Sequence, residues 1–296
     1  MAFKEFDDPQ LLRHIQKVLT LILKEFDRVC TELNLPYTVY GGTAIGAVRH
    51  QGFVPWDDDI DICMTRADYE RFLAEAPVLL GDDFRIDNTR TNPDYSFMFT
   101  KLVLKDTLMI PEFSKDSKYK MPMFLDIFPL DNIPEDPKAY RRQARSTWFW
   151  GRLVYLAGTP RPYLEIDGII RTMIFTATTA VYWTLRLARI TPRKLQKHWE
   201  QAARRYEHVP SRTMTDFSMR DPENWEVTLD ELFPAIEVPF EDITTKLPHE
   251  YDTLLTRGYG DYMTLPPLEK RKNHSLFVVE LGKFGPDELG AEEPGK

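Results

Sequence analysis

The spacing of hydrophobic residues predicts a long amphipathic helix near the start of the chain. Between residues 11 and 33, apolar side chains recur every three or four positions, which is the period of a helix with one buried face. We expect this helix to run from about residue 9 to residue 34, because Pro36 then prevents its continuation. Its apolar stripe is expected to cover the core of the domain.

The residues that follow alternate between patterns typical of strands and patterns typical of short helices. Residues 129–137 are rich in proline and are expected to form a loop that ends the core. This order of elements predicts an α+β fold with a mixed sheet and flanking helices. Strands are expected at residues 37–40, 57–64, 84–88, 95–104 and 123–128, and helices at residues 43–50 and 66–76.

The second half of the chain divides into a helical part and a mixed part. Residues 138–208 look helical, and their most apolar piece contains fourteen successive uncharged residues, 172–185, too few to span a bilayer. Short strands at 225–227 and 236–238 and a helix at 243–256 are expected behind it. We expect a core (1–137), an inserted basic helical subdomain (138–209), a part that completes the core and its site (210–284) and a loose tail (285–296).

The composition is that of an ordinary globular protein. Of the 296 residues, 43% are hydrophobic and 28% are charged, which distinguishes the chain from disordered sequences. The two cysteines, Cys30 and Cys63, are expected to be buried as small hydrophobic residues. The first residues lack the basic start and apolar centre of a signal peptide, so we expect a cytoplasmic location.

Charge is divided unevenly along the chain. Residues 138–212 contain fifteen Lys or Arg against four Asp or Glu, a net charge of +11, whereas the whole chain carries −8 and the remainder therefore −19. This segment could be a solvated helical cap, or it could lie on the inner face of an anionic membrane, since Trp148 and Trp183 interleave with arginines. Nucleic acid is a poor third partner, because the rest of the chain repels phosphate.

An acidic run between two hydrophobic segments predicts a metal site. In the alternating sequence of residues 59–62, a strand would direct Asp59 and Asp61 to one face. Two such carboxylates repel each other unless a cation neutralises them, and oxygen ligands suit Mg²⁺ or Mn²⁺. The run could instead be a solvated acidic loop. A calcium loop fits poorly, because Ile62 stands where an EF-hand requires glycine.

Asp126 is the candidate for a third carboxylate. It is the one acid in the otherwise apolar residues 124–128. A buried Asp without a partner would cost several kcal/mol. It therefore needs a cation, or hydrogen bonds from a turn or an arginine.

A glycine pair precedes the acidic run and suggests a phosphate contact. Gly41 and Gly42 would let a phosphate approach backbone N–H groups at a helix start, where Thr43 could cap the helix or bind a phosphate oxygen. Together with the acidic run, this turn predicts metal-assisted chemistry on a nucleotide or another phosphate ester.

Three further residues near these motifs are candidates for contact with the phosphate-bearing ligand, each with a structural alternative. Arg49 could bind phosphate or only cover a helix end. Trp56 could stack on a base or on a choline methyl group, or anchor its loop. Lys101, on a strand beside the acids, could hold phosphates or be an unremarkable sheet-edge lysine.

The unbroken stretch of residues 40–64 resembles the signature of the LicD family, in which a Gly-Gly-Thr turn leads to Pro-Trp-Asp-Asp-Asp-Ile-Asp-Ile. Two further blocks similar to that family follow in the expected order, at residues 124–131 and 259–267. The resemblance implies a nucleotidyltransferase-like fold and transfer of a phosphorylated alcohol, typically phosphocholine from CDP-choline, to a surface glycan. Related fukutin-related proteins use CDP-ribitol, so the resemblance does not fix the donor.

The last block of the resemblance is followed by a basic group, Lys270, Arg271 and His274. These residues are candidates for contacts with donor or acceptor, although a solvated helix turn would look the same.

The combined hypothesis is a metal-dependent transferase in which Asp59, Asp61 and Asp126 hold Mg²⁺ or Mn²⁺ and carry the catalysis. A hydroxyl of a glycan, or of its lipid-linked precursor, would take the phosphorylated alcohol and CMP would leave. Two alternatives remain. One is a nucleotidyltransferase that uses a nucleoside triphosphate and releases pyrophosphate, and the other is a non-catalytic nucleotide-binding scaffold at the membrane surface.

Overall fold

The structure is a computed structural model that describes residues 8–164, 166–209 and 211–285. The helices are α1 (Pro9–Glu32), α2 (Gly41–His50), α3 (Arg66–Glu75), α4 (Pro137–Gly158), α5 (Gly168–Leu187), α6 (Pro192–Ala203), α7 (Leu229–Leu232) and α8 (Tyr251–Tyr259). The strands are β1 (Thr38–Val39), β2 (Asp61–Thr65), β3 (Phe84–Asp87), β4 (Thr100–Leu104), β5 (Leu108–Pro111), β6 (Met123–Asn132), β7 (Thr213–Thr215), β8 (Val227–Thr228), β9 (Ile236–Phe240), β10 (Ile243–Leu247) and β11 (Leu276–Glu280).

The long first helix begins at a well-formed cap. The Asp8 carboxylate accepts hydrogen bonds from the backbone N–H groups of Gln10 and Leu11, and Pro9 occupies the first helical position. The apolar stripe of α1 is buried in the main core, which confirms the prediction made from its periodicity.

A mixed sheet forms the centre of the core, in the strand order β1-β2-β6-β4-β3. Strands β2 and β6 are parallel, and the other neighbours on this path are antiparallel. At the far end of β6, strand β7 pairs with it and β8 pairs with β7. Separately, β9 pairs with β10, and β11 pairs with β5. Helices flank the sheet, so the α+β fold class is confirmed. Both Cys30 and Cys63 are buried free thiols, as expected.

Several predicted boundaries were wrong. The acidic strand begins at Asp61 rather than at residue 57, because Asp57 closes a turn onto the Val54 carbonyl. The expected loop at 129–137 is partly strand, because β6 continues to Asn132 along β2 and β7. The helix expected at 243–256 is a strand followed by α8, and the β-branched run at 243–245 accounts for the strand.

The basic helices α4, α5 and α6 pack on one another and are tied to the core by ion pairs. Arg90, in the β3–β4 connection, binds Glu70 of α3 and Glu200 of α6. Arg204, just after α6, also reaches Glu70. Among the helices of the described residues, none combines the length and the apolarity that a membrane crossing requires.

A buried ion pair fixes α3 against the sheet and gives a first prediction. Both Arg66 and Asp131 are buried, and Arg66 Nε and Nη2 donate to the two Asp131 oxygens at 2.8 and 2.7 Å. Arg66→Met would leave the Asp131 carboxylate unpaired, so we expect a loss of about 3–5 kcal/mol in the free energy of unfolding. Urea unfolding measures this loss.

The double variant Arg66→Met/Asp131→Leu is the control for that measurement. It removes both charges, so it should recover most of the lost stability. Equal losses in the single and double variants would contradict the prediction, because they would trace the effect to packing rather than to an unpaired charge.

Candidate active site

A row of charged side chains crosses the sheet on one face. Asp61 of β2 is the register partner of Asp126 of β6, which pairs with Lys101 of β4, which in turn pairs with Asp87 of β3. Residues directly opposite each other on paired strands point to the same face. At the far end Asp87 is neutralised by Arg85, so the acidic end of the row is Asp61 with Asp126.

The ion pair between Lys101 and Asp126 is buried. Lys101 Nζ donates to Asp126 Oδ1 at 2.6 Å and lies 3.3 Å from the centre of the Phe124 ring. Burial lowers the pKa of Lys101, and the Asp126 charge opposes this effect. Burial raises the pKa of Asp126 to about 6, although Lys101 acts to lower it. Because Oδ1 is engaged by Lys101, Oδ2 is the oxygen left for a ligand.

The start of α2 approaches this acidic end closely because it carries two glycines. Gly41 has a φ of +56°, and a Cβ there would lie 3.3 Å from Asp61 Oδ2 and 3.4 Å from the Tyr259 hydroxyl. A Cβ on Gly42 would lie 2.9 Å from Asp57 Oδ2. The first backbone N–H groups of a helix lack partners within it, so they are available to a phosphate.

Thr43 has a different role from the one expected. Its side chain is buried, and its Oγ1 accepts a hydrogen bond from the backbone N–H of Asp61 at 2.9 Å. This contact ties α2 to the backbone at the start of β2. A direct bond from the Thr43 hydroxyl to phosphate stays a prediction.

The acidic run that precedes β2 brings further carboxylates to the same place. Burial, then Asp59, Asp126 and Asp57, raise the pKa of Asp61 well above its ordinary value. Burial and the neighbouring Asp59 likewise raise the pKa of Asp57. Asp58 is fully buried, and its Oδ2 has no hydrogen-bond partner among the described residues. Such a concentration of acid calls for a cation.

His274 supplies part of that positive charge. Its Nδ1 lies 2.7 Å from Asp58 Oδ1 and 3.6 Å from Asp59 Oδ2, and its backbone N–H also faces Asp58 Oδ1 at 3.3 Å. The negative charge of Asp59 is the largest cause that raises the pKa of His274 to about 10, and Asp58 adds to it. The imidazole is therefore protonated at neutral pH and holds the last segment of the site on the acidic run.

Two sets of side chains could hold a metal, and they share Asp59. Ligand atoms of Asp58, Asp59 and His274 lie within 4.8 Å of one another. The set expected from the sequence, Asp59 with Asp61 and Asp126, does not bring its three ligand atoms within this distance among the described residues, and it stays a prediction. The second set offers only oxygen atoms, which Mg²⁺ prefers, whereas the first would place one imidazole nitrogen among the ligands.

The remaining basic candidates lie in and beside the segment that follows α8. Arg271 stacks over the Trp56 ring, with its guanidinium carbon 5.3 Å from the ring centre, and its Nε donates to the Pro266 carbonyl. Arg49 Nη1 donates to the Tyr262 carbonyl at 2.6 Å. Burial is the largest cause that lowers the pKa of Arg49, and the positive charge of the nearby Arg271 is the second. Two guanidinium groups are thus close enough to repel, which suits an anion between them.

The two candidate lysines, Lys270 and Lys101, lie in different surroundings. Lys270 is exposed on a short 3₁₀ turn. Lys101 is buried within the sheet and binds Asp126, so its ammonium acts on the site through that carboxylate. A direct contact of either lysine with donor phosphate stays a prediction.

Sequence reasoning assigned no role to Asp57, Asp58 or Tyr259, all of which border the site. The three consecutive acids were a signal for the first two, and Tyr259 opens the third block of the resemblance. Burial and then Asp61 raise the pKa of Tyr259, so its hydroxyl stays protonated beside Gly41.

The approach of Gly41 to Asp61 gives a second prediction. Gly41→Ala should reduce turnover at least tenfold, because the new Cβ at positive φ presses on Asp61 Oδ2 and on the Tyr259 hydroxyl. The cost in folding free energy should be smaller, about 1–2 kcal/mol. Steady-state rates and thermal unfolding measure the two effects. Gly285→Ala is the control, because its φ is negative and its Cβ would meet only ordinary contacts. Unchanged turnover in Gly41→Ala would show that this approach is not needed.

The sequence that forms this site is similar to those of known proteins. Residues 34–149, which include Gly41, Asp61 and Asp126, match the family described as LicD/FKTN/FKRP, nucleotidyltransferase domain. The lipopolysaccharide cholinephosphotransferase LicD of Haemophilus influenzae is 29% identical over 272 residues, covering 90% of this chain and 96% of that protein. The uncharacterized protein RT0683 of Rickettsia typhi is 35% identical over 77 residues, 25% of each chain. The signature and the fold agree with these matches: residues 34–149 carry a LicD-type domain, and the chain is similar to LicD of Haemophilus influenzae over most of its length.

Proposed function

We propose that this chain transfers phosphocholine from CDP-choline to a hydroxyl of a cell-surface glycan or of its lipid-linked precursor, and releases CMP. The observation that carries the proposal is the pairing of Asp61 with Asp126 at the glycine start of α2, with the charge of Asp59 acting on both carboxyls. The full-length similarity to a lipopolysaccharide cholinephosphotransferase supports phosphocholine as the transferred group.

The proposal includes Mg²⁺ or Mn²⁺, held by Asp59 and Asp61 with Asp126 beside them. The pKa of Asp61, raised by burial and by the charges of Asp59 and Asp126, supports this placement, because a divalent cation would relieve that repulsion. When bound, the ion would neutralise charge on the diphosphate and on the departing CMP.

The residues of the chain would then bind and orient the donor. The N–H groups of the first turn of α2 would bind its diphosphate, and the guanidinium groups of Arg49 and Arg271 would balance its charge. Arg271 covers one face of Trp56 and the ring also packs against the main core, so stacking of the ligand on Trp56 stays a prediction.

Asp126 would accept the proton of the acceptor hydroxyl at Oδ2, since Lys101 engages Oδ1. A pKa of about 6 suits a base that works near neutral pH. The acceptor oxygen forms a bond to the phosphorus that carries choline, and the bond from this phosphorus to the bridging oxygen breaks. The electron pair of that bond leaves with CMP.

Membrane contact belongs to the same proposal. A lipid-linked acceptor would lie at the inner face of the membrane, so the enzyme would meet it as a cytoplasmic protein through its basic residues 138–212.

The reaction products test the proposal against its rivals. The full chain is incubated with CDP-choline, CDP-ethanolamine, CDP-glycerol, CDP-ribitol or CTP, with and without Mg²⁺, and CMP and pyrophosphate are quantified. CMP formed from CDP-choline with an acceptor and Mg²⁺ supports the proposal. Another CDP-alcohol would change the transferred group, and pyrophosphate from CTP would indicate a nucleotidyltransferase.

Thermal unfolding with the same ligands distinguishes an inactive enzyme from a protein that binds none of them. A ligand at a hundred times its Kd stabilises the fold by about 2.7 kcal/mol. Stabilisation without any product, under all conditions, would favour the non-catalytic scaffold.

A further inference from the structure

The outward face of α5 is apolar, and no described element covers it. The side chains of Ile169, Met173, Trp183 and Leu187 follow one another along this face and are 78%, 66%, 52% and 81% exposed. Their spacing of four, ten and four residues keeps them on one stripe of an α-helix. The apolar stripe of a surface helix normally faces the core, whereas the stripe of α5 faces the solvent.

The polar residues between them do not make the stripe hydrophilic. The hydroxyls of Thr172, Thr176 and Thr184 donate to backbone carbonyls of their own helix, at 3.4, 2.8 and 2.8 Å. Their hydrogen-bonding capacity is therefore partly satisfied within α5, and they can enter an apolar environment at low cost. Between Met173 and Trp183 the exposed residues are threonine and alanine, so the large apolar side chains lie toward the two ends of the helix.

The opposite side of α5 is fixed to the protein. Tyr182 and Leu185 are buried, and Leu185 packs in a cluster with Val154 of α4 and Leu195 of α6. Thr178 also donates to the Pro160 carbonyl at 3.1 Å. The outward face is thus displayed by a helix that is anchored, and it is not the result of a detached segment.

Charge around the stripe indicates its partner. Helix α5 contains Arg171 and Arg186 and no acidic residue, and of the two Arg171 pairs with Asp167, the residue before the helix, at 3.0 Å. The Arg186 guanidinium lies over the Trp183 ring at 5.8 Å, where it can reach a headgroup phosphate while the indole stays in apolar surroundings. A basic stretch follows at residues 189–197.

A second copy of the chain fits this face less well than a bilayer does. Two α5 stripes packed together would bring Arg186 of each copy to an interface in which Asp167 already pairs with Arg171 and α5 itself offers no acid. An anionic bilayer supplies both the apolar layer and the negative charge. From Ile169 to Leu187 the stripe is about 27 Å long, and in-plane binding requires only that the helix lie flat.

We propose that α5 lies in the headgroup region of an anionic membrane, with its outward face toward the acyl chains. This deepens the proposed function, because it assigns the expected membrane contact to one helix rather than to the basic segment as a whole. Its test needs neither donor nor turnover, so it can fail independently of the proposed transfer.

Vesicle flotation of the full chain tests the assignment. The vesicles contain phosphatidylcholine with about one third phosphatidylglycerol, and the salt concentration is low, because screening shortens the reach of surface charge. The test variant is Met173→Glu/Leu187→Glu, and the matched control is Val78→Glu, whose side chain is 86% exposed outside α5. Thermal unfolding checks that all three proteins remain folded.

We expect the wild type and Val78→Glu to float and the double variant to lose at least tenfold in vesicle affinity. Weaker flotation of the wild type on pure phosphatidylcholine would support the role of Arg171 and Arg186. Equal flotation of the double variant, or no flotation of the wild type, would overturn the proposal. So would a wild-type dimer in sedimentation velocity that the double variant abolishes, since the face would then bind a second copy.

Discussion

Replacing Asp61 by Asn should abolish transfer and at the same time make the metal-free fold more stable. The expected loss in turnover is about a thousandfold or more, because the side chain would no longer hold the cation where charge develops on the phosphates. The gain in stability follows from the surroundings of Asp61, whose pKa is raised by burial, by Asp59 and by Asp126. A neutral amide of the same shape removes one charge from a crowded acidic site.

The difference in stability between the wild type and Asp61→Asn should depend on pH and on Mg²⁺. A carboxyl whose pKa is higher in the folded state binds more protons there, so stability decreases as pH rises through the window above the unfolded value. Without this carboxyl the decrease is smaller, so the advantage of Asp61→Asn should grow with pH. Added Mg²⁺ should stabilise the wild type and leave the variant nearly unchanged.

Urea unfolding at several pH values, with and without Mg²⁺, measures these differences, and product formation measures turnover. Asp82→Asn is the matched control, because Asp82 is an exposed acid outside the site. If the Asp61 variant were active, or if it lost stability in the absence of metal, the carboxylate would not belong to a cation site.

The sequence predicted the local elements of the fold better than their connections. The period of α1 was sufficient because one face of this helix covers the core along its length. The pairing of β5 with β11 escaped prediction, because these strands lie more than 150 residues apart and neither has a strong local pattern. Register between distant segments depends on packing, which single-sequence patterns do not contain.

The same distinction holds for the candidate site. Alternation placed Asp59 and Asp61 together, and the lone acid Asp126 could be singled out within its apolar strand. That His274 would contact Asp58 could not be derived, because 216 residues separate them. Nor could the sequence tell that the apolar stripe of α5 faces outward, since periodicity identifies a stripe but not what covers it.

Lys101→Met is expected to damage both stability and catalysis, and in each case through Asp126. The ammonium of Lys101 is buried and lies 2.6 Å from Asp126 Oδ1. Removing it leaves a buried carboxylate beside Asp61 without its partner, which typically costs about 3–5 kcal/mol. Methionine fills the space between the rings of Phe97 and Phe124, so packing should change little.

The loss of stability should depend on pH in a defined direction. The pKa of Asp126 in the folded protein, about 6, is already above its ordinary value, and without Lys101 it must rise further. At pH 5 the carboxyl is largely protonated in both proteins, and the variant should be nearly as stable as the wild type. Between pH 6 and pH 8, Asp126 of the wild type loses its proton beside Lys101. In the variant, Asp126 must either keep its proton or be buried as an unpaired charge, so the difference in free energy of unfolding should widen.

Catalysis should follow the same titration. If Asp126 accepts the acceptor's proton, the Lys101→Met enzyme has its base protonated at pH 7, and its activity should fall at least tenfold there and recover toward alkaline pH. A role of Lys101 in direct phosphate binding predicts instead a loss that does not recover. Lys105→Met is the matched control, since Lys105 lies on the protein surface and bonds the Asp82 carbonyl.

The double variant Lys101→Met/Asp126→Asn separates charge from packing. Because it lacks the unpaired carboxylate, it should be more stable at pH 8 than Lys101→Met alone, and its stability should depend less on pH. It should also stay inactive at every pH, since the base is gone. Stability that falls equally in both variants at all pH values would mean that Lys101 supports the sheet by packing, and Asp126 would then not be held in a catalytic state by this lysine.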